Sequence, residues 1–338
     1  MNITICGGGN LGHVCAGVLG EIHQVSLLTT HPEQWSQIIE VTAPEGRVYH
    51  GMLQRVTSHA DEVIPQADIV LLCLPGFAIR DVLLQIAPHL NSNTWVGTVV
   101  SSTGFFFEAM TLLPKSQVLF GFQRVPFISR ITEYGRSAQL KGYKSSLCVA
   151  VEHSEDKEGI KATLEQLFHT PTTLLHSYYE VSLSNSNPLL HTARLYTMWH
   201  NWTEGINYPS NPYFYADWTV EASALLIAMD EEFQRLLRTI GLPEESIPPV
   251  LTYYESSDAE SLTSKIRSIA AFQGILSPMT KTGEGRYAPD FNSRYFTEDF
   301  PYGMRFIVET ASKYHVDIPT IEKVYAWGTQ SISSNMYR

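Results

Sequence analysis

The chain carries two textures of apolar and polar positions, and the change falls near residue 180. It opens on a short apolar run, Asn2–Cys6 (NITIC), that enters Gly7-Gly8-Gly9-Asn10-Leu11-Gly12 and continues over 14–19 with helical character. Gln24–Leu28 predicts a second strand. Residues 67–74 (ADIVLLCL) form a continuous β-rich run closed by Pro75, the pattern of a parallel strand buried on both faces. Runs at 94–101 and 146–151 repeat it. Strands alternating with helical stretches predict βαβ units and a parallel sheet. From 188 to 240 the pattern is helical, broken by an aromatic and proline-rich stretch at 208–218; further helical stretches are expected at 262–274 and 302–314.

The glycines give the first half a chemistry. Gly7, Gly9 and Gly12 form G-x-G-x-x-G between a predicted strand and a predicted helix. Gly7 permits the tight turn, Gly9 lets the backbone approach a pyrophosphate, and Gly12 lets helix and strand pack closely. The helix start at Asn10 and Leu11 offers free N–H groups and the positive end of the helix dipole to phosphates. The expected fold is α/β: a Rossmann-type dinucleotide-binding domain over 1–180, then a mostly α-helical domain over 181–338. The expected cofactor is NAD(P)H. An acid at the end of the second strand marks NAD use. Here that place holds Thr29-Thr30-His31-Pro32, and the first acid is Glu33. Both threonines are able to hydrogen-bond a phosphate, which tilts the expectation slightly toward NADP.

Composition narrows the partners. Hydrophobic residues are 44% and charged residues 17% of 338, enough apolar material for two packed domains. A net charge of -11 argues against nucleic acid, whose phosphates need clustered Lys and Arg. Four cysteines without C-x-x-C spacing read as reduced core thiols of a cytoplasmic protein, with no metal site. The longest apolar run, 67–75, is far too short to span a membrane, and no basic leader precedes the first strand.

Two segments of the second half carry candidate chemistry. In Asn187-Pro188-Leu189-Leu190-His191, Asn187 is a good helix cap and Pro188 suits the first helical position, placing His191 in the first turn. A helix N-terminus disfavours imidazolium, so an acid/base histidine there needs a carboxylate partner. The structural alternative, a capping or core histidine, is favoured by periodicity alone. In Arg294-Tyr295-Phe296-Thr297-Glu298-Asp299-Phe300-Pro301-Tyr302-Gly303, Asp299 is either the cap of the next helix or the partner of His191. Arg294 is either a surface charge or a fork for a substrate carboxylate. Gln123-Arg124-Val125-Pro126 is a candidate polar cluster facing nicotinamide or oxo acid, with a strand-end role equally open. Tyr208, Tyr213, Phe214, Tyr215 and Trp218 are candidate walls of a substrate cleft, though such density more often marks core or a homodimer interface. His13 reads as an ordinary helix residue and Asp230-Glu231-Glu232 as a solvated helix face.

Taken together, Gly7-x-Gly9-x-x-Gly12, Asn187-Pro188-x-x-His191 and Arg294-x-x-x-x-Asp299 followed by Pro301-Tyr302-Gly303 resemble the opine dehydrogenase family in order and spacing. The resemblance implies NAD(P)H-dependent reductive condensation of an amino acid with a 2-oxo acid such as pyruvate. It implies His191 as acid/base, Asp299 in a dyad with it, and Arg294 on the oxo-acid carboxylate, with Gln123 as a further substrate contact. Ketopantoate reductase-like enzymes share the layout but use a lysine on the central helix, and no lysine occurs between Lys161 and Lys265. Simple 2-oxo acid reduction is thus the runner-up, and a non-catalytic nucleotide sensor the third reading.

Overall fold

A computed structural model describes residues 1–336 and divides into two compact units, one ending at Ser184 and the next beginning at Asn185. The first unit holds β1 (Asn2–Cys6), β2 (Gln24–Leu28), β3 (Ile38–Thr42), β4 (Val48–Thr57), β5 (Ile69–Leu72), β6 (Trp95–Thr98), β7 (Leu119–Phe122), β8 (Phe127–Glu133), β9 (Ser137–Tyr143), β10 (Leu147–Glu152) and β11 (Thr172–Leu174). They form one sheet in the order β11-β10-β7-β6-β5-β1-β2-β4-β3-β9-β8. From β7 to β4 every pairing is parallel, as the buried apolar runs predict. Strand order reverses at β1, where the chain leaves for β2 on one side and β5 on the other. Open α/β sheets bind ligands at such a switch point, beyond the carboxyl ends of the strands.

The helices of this unit are α1 (Asn10–Leu19), α2 (Gly76–Ile86), α3 (Phe105–Leu112), α4 (Lys157–Phe168) and α5 (Tyr178–Leu183). The run at 94–101 is strand only to Thr98, and a short 3₁₀ turn takes over at Ser101–Thr103. Hydrophobic pattern does not foretell β3, β4, β8 and β9, which alternate exposed and buried positions on a partly solvated extension. That extension closes over α1, which packs on β3, β4, β8 and β9 as well as on β1 and β2. Gly12 to Leu19 are consequently all buried. Small residues make the fit: a Cβ on Gly51 would lie 2.6 Å from Gly17 Cα, and a Cβ on Gly17 would overlap Val41 Cγ2. No tolerance remains on this face for a larger side chain.

The second unit contains α6 (Asn187–Trp199), α7 (Val220–Thr239), α8 (Val250–Tyr253), α9 (Ala259–Ser268), α10 (Arg294–Thr297), α11 (Arg305–Lys313) and α12 (Pro319–Met336), with a small antiparallel pair, β12 (Met279–Lys281) and β13 (Tyr287–Pro289). Asp230 and Glu232 correct the expectation of a solvated acidic face, because both are buried. Asp230 accepts from the N–H of Val250 at 2.8 Å, at the start of α8. Glu232 accepts from the N–H groups of Thr320 and Ile321 at 2.9 and 3.0 Å, capping α12 from a neighbouring helix. Free N–H groups at a buried helix start need such acceptors. Among the described residues no helix is long and apolar enough to cross a membrane.

The close approach of α1 predicts the outcome of Gly17→Val. Overpacking of this kind costs about 1–3 kcal/mol, so the urea midpoint should fall accordingly. An unchanged midpoint would mean that α1 is not enclosed as described.

Candidate active site

In the first unit the three glycines differ in what surrounds them. Gly7 has φ +113°, and a Cβ there would lie 2.7 Å from the Cys73 carbonyl oxygen. A Cβ on Gly12 would overlap the carbonyl oxygen of Gly7. Gly9, the residue before α1, has nothing within 4 Å of its would-be Cβ. Two glycines are therefore required by the protein's own backbone, while the third borders open space at a helix N-terminus. That is a cradle of the shape a pyrophosphate needs. Asn10 opens α1, and its side chain accepts from the N–H of Ile131 at 2.8 Å; Leu11 is half-buried against the core. Thr29 is buried beyond β2, its N–H donating to Thr57 at 2.9 Å, while Thr30 is exposed.

His13 is not an ordinary helix residue. It is fully buried, and burial lowers its pKa. Its Nε2 accepts from the N–H of Gly135 at 2.7 Å, so Nδ1 carries the proton and donates to the Gly9 carbonyl at 2.9 Å. Trp35 and Tyr134 pack on its ring at centroid distances of 4.1 and 5.1 Å. A neutral imidazole thus pins the turn between β8 and β9 to the glycine loop. A polar residue inside the apolar helix NLGHVCAGVL, past its opening Asn10, is the signal that marks it.

In the second unit α6 places His191 on its inner face. Ser186, not Asn187, precedes the helix; Asn187 is its first residue, its N–H held by Asn185 Oδ1 at 3.2 Å. His191 is therefore the fifth helical residue, one position past the first turn. Asp299 Oδ2 lies 2.7 Å from His191 Nδ1, and both side chains are nearly buried. Asp299 does stand where a cap of the following π-helical turn, Phe300–Met304, would stand, but its side chain makes no capping bond. Two tight fits bring it within reach. Gly303 leaves no room for a Cβ against Pro188, at 2.8 Å from the proline Cβ, and Gly328 of α12 receives the ring of Phe300. Pro188 and Gly303, both in the quoted motifs, are a matched contact.

The other imidazole nitrogen is also taken. His191 Nε2 lies 2.7 Å from the Tyr215 hydroxyl. Burial first, then the neighbouring Tyr295, Tyr254 and Asp299, push the Tyr215 phenol far above its ordinary range; burial also raises Tyr295. The loop carrying Tyr215 is fastened by two cations, the buried Arg194 and the exposed Arg267. Arg194, one turn past His191 on α6, donates to the carbonyls of Phe214 and Asp217 at 3.2 and 2.7 Å, and Arg267 donates to that of Trp218 at 2.7 Å. Burial pulls the Arg194 guanidinium down to about 10, against the pull of Asp217. Phe214, Tyr215 and Trp218 are core residues, and only Tyr213 of this group is clearly exposed. Sequence reading singled out Tyr215 merely as a cleft wall and missed Arg194 and Arg267 altogether.

Arg294 is exposed, its guanidinium held by Glu298 through two bonds of 2.7 and 2.8 Å, which raise its pKa. Gln123 follows β7 in the first unit, half-buried, its N–H donating to the Cys148 carbonyl at 2.9 Å; Arg124 beside it is exposed. No group of three His, Cys, Asp or Glu residues among the described ones stands together as a metal site would require.

Residues 174–332 match the family model described as NAD/NADP octopine/nopaline dehydrogenase, alpha-helical domain. The chain is 26% identical to the opine dehydrogenase of Haliotis discus hannai, over 97% of this chain and 89% of that protein. It is 27% identical to the tauropine dehydrogenase of Arabella iricolor, over 96% and 90%. A solved octopine dehydrogenase with NADH and L-arginine superimposes with a TM-score of 0.85 at 25% identity, covering 98% of this chain and 89% of that one. Residues 174–332 thus match the helical domain of octopine/nopaline dehydrogenases, and the chain is similar to opine dehydrogenases over nearly its whole length.

Proposed function

We propose that this chain catalyses the NAD(P)H-dependent reductive condensation of an amino acid with a 2-oxo acid to a secondary amine dicarboxylate. The observation that carries the reading is the 2.7 Å contact between His191 and Asp299. Periodicity alone favours a structural histidine, yet a carboxylate from 108 residues away meets its Nδ1. Such a carboxylate fixes the tautomer, with Nδ1–H toward Asp299, and stabilises the imidazolium when it forms. His191 then serves as the acid/base of condensation, taking a proton from the amino nucleophile and giving one to the departing oxygen.

The cradle of Gly7, Gly9 and Gly12 with the start of α1 at Asn10 and Leu11 fits a dinucleotide pyrophosphate; the nucleotide, when bound, supplies the hydride. With Thr29 and Thr30 at the end of β2 and no acid before Glu33, the proposal leans slightly to NADPH. The solved octopine dehydrogenase named above holds NADH, and that cofactor is the alternative arm of the same test. Arg294 is assigned to the oxo-acid carboxylate and Gln123 to a further polar contact. The Arg294–Glu298 pair is an exposed ion pair four residues apart, worth little to stability. An incoming carboxylate can therefore replace Glu298 at the same fork at small cost.

The test is oxidation of NADH and of NADPH with a panel of 2-oxo acids, each with and without a panel of amino acids. Oxidation with the oxo acid alone should be slow and should rise sharply with the right amino acid. Rapid oxidation indifferent to every amino acid would identify a simple 2-oxo acid reductase instead. In the productive pairing, Arg294→Lys should raise KM for the oxo acid about tenfold or more, since a lysine cannot copy two parallel bonds. Unchanged oxo-acid kinetics would remove Arg294 from the role.

A further inference from the structure

Both nitrogens of His191 are engaged within its own unit, Nδ1 by Asp299 and Nε2 by the Tyr215 hydroxyl, each at 2.7 Å. Nδ1 carries the proton that faces the carboxylate, so any proton that His191 gains or loses is on Nε2, the nitrogen against Tyr215. We propose that Tyr215 is a proton relay: protons enter and leave His191 through its hydroxyl. The proposal rests on the acid/base role of His191 given above and adds the route that role requires.

A phenol is suited to this position because it donates and accepts. When the imidazole is neutral, Tyr215 O–H donates to Nε2. When the imidazole is charged, Nε2–H donates to the Tyr215 oxygen, and the Tyr215 proton turns outward to a substrate atom or water. Passing between them moves one proton per link: the Tyr215 oxygen receives one and gives one, and the net result is one proton added to Nε2. No phenolate accumulates, because burial holds the Tyr215 phenol above its ordinary range.

The stoichiometry needs such a path. Amino acid, oxo acid and hydride donor become secondary amine, water and oxidised nucleotide with uptake of one proton, so a nearly buried His191 has to be recharged every cycle. The surroundings keep Tyr215 in place: its ring stacks on Phe272 at 4.1 Å, and Arg194 and Arg267 hold the carbonyls around it.

Tyr215→Phe removes the hydroxyl and keeps the stacked ring. In the wild-type protein, assayed with its productive amino acid and oxo acid, kcat should exceed that of Tyr215→Phe by about 10²-fold or more, the usual worth of an assisted proton transfer. KM for the oxo acid and nucleotide affinity should stay within about twofold, and small buffer acids such as imidazole or formic acid should restore part of kcat in proportion to their concentration. A merely structural tyrosine would not respond to buffer. A solvent deuterium isotope effect on wild-type kcat serves if Tyr215→Phe does not fold: transfer through the hydroxyl should give a clear effect, and its absence overturns the relay. An unchanged or raised kcat in Tyr215→Phe, as a simple plug over Nε2 would give, overturns the relay, as does a loss that no buffer relieves. A wild-type protein that turns over no amino acid and oxo acid pair would instead refute the proposed function itself.

Discussion

The second unit is arranged around one demanding contact, a carboxylate held against an imidazole where water hardly reaches. A buried ion or acid costs free energy unless its partners are in place. Asp299 and His191 meet that condition only because several separate fits coincide. Pro188 and Gly303 interlock, Gly328 admits the Phe300 ring, and a π-helical turn sets Asp299 at its head. Beyond the imidazole, Tyr215 completes the polar chain, and two arginines spend their hydrogen bonds on backbone carbonyls to fix the loop that carries it. The chemistry assigned to His191 is thus inseparable from how tightly this helical unit packs.

The first unit solves a different problem, that of keeping a helix start rigid while leaving space before it. α1 is enclosed by the curled extension of the sheet, and its glycines remove the side chains that would hold the two apart. His13 adds a directional tie from the Gly9 carbonyl to the β8–β9 turn. Gly9, the one member of the motif with free space beyond its Cα, is the glycine that the protein's own packing does not require.

How much of this was legible in the sequence follows from the kind of signal involved. Strands buried on both faces write themselves as apolar runs, so β1, β2, β5, β6 and β10 were readable, and the glycine spacing identified the nucleotide fold. The extension formed by β3, β4, β8 and β9 was not readable, since its strands have one wet face and lie at or near a sheet edge. Asp230 and Glu232 looked solvated because three acids in a row usually are; the helix starts they cap lie 20 and 88 residues away, beyond any local pattern. The pairing of His191 with Asp299 had support from motif order, whereas Tyr215 was one aromatic among five and only its hydroxyl's neighbour distinguishes it. Arg194 was hidden for a related reason, since an arginine that binds carbonyls leaves no charged partner in the sequence.

The measurement that bears most directly on the account is a comparison of turnover and thermal stability for Asp299→Asn. An amide keeps the shape but cannot stabilise an imidazolium as a carboxylate does. The account predicts a fall in kcat of about 10²–10⁴-fold, with a melting temperature close to that of the wild-type protein. A variant that melts earlier yet turns over normally would contradict it, and would make Asp299 a structural residue beside a structural histidine.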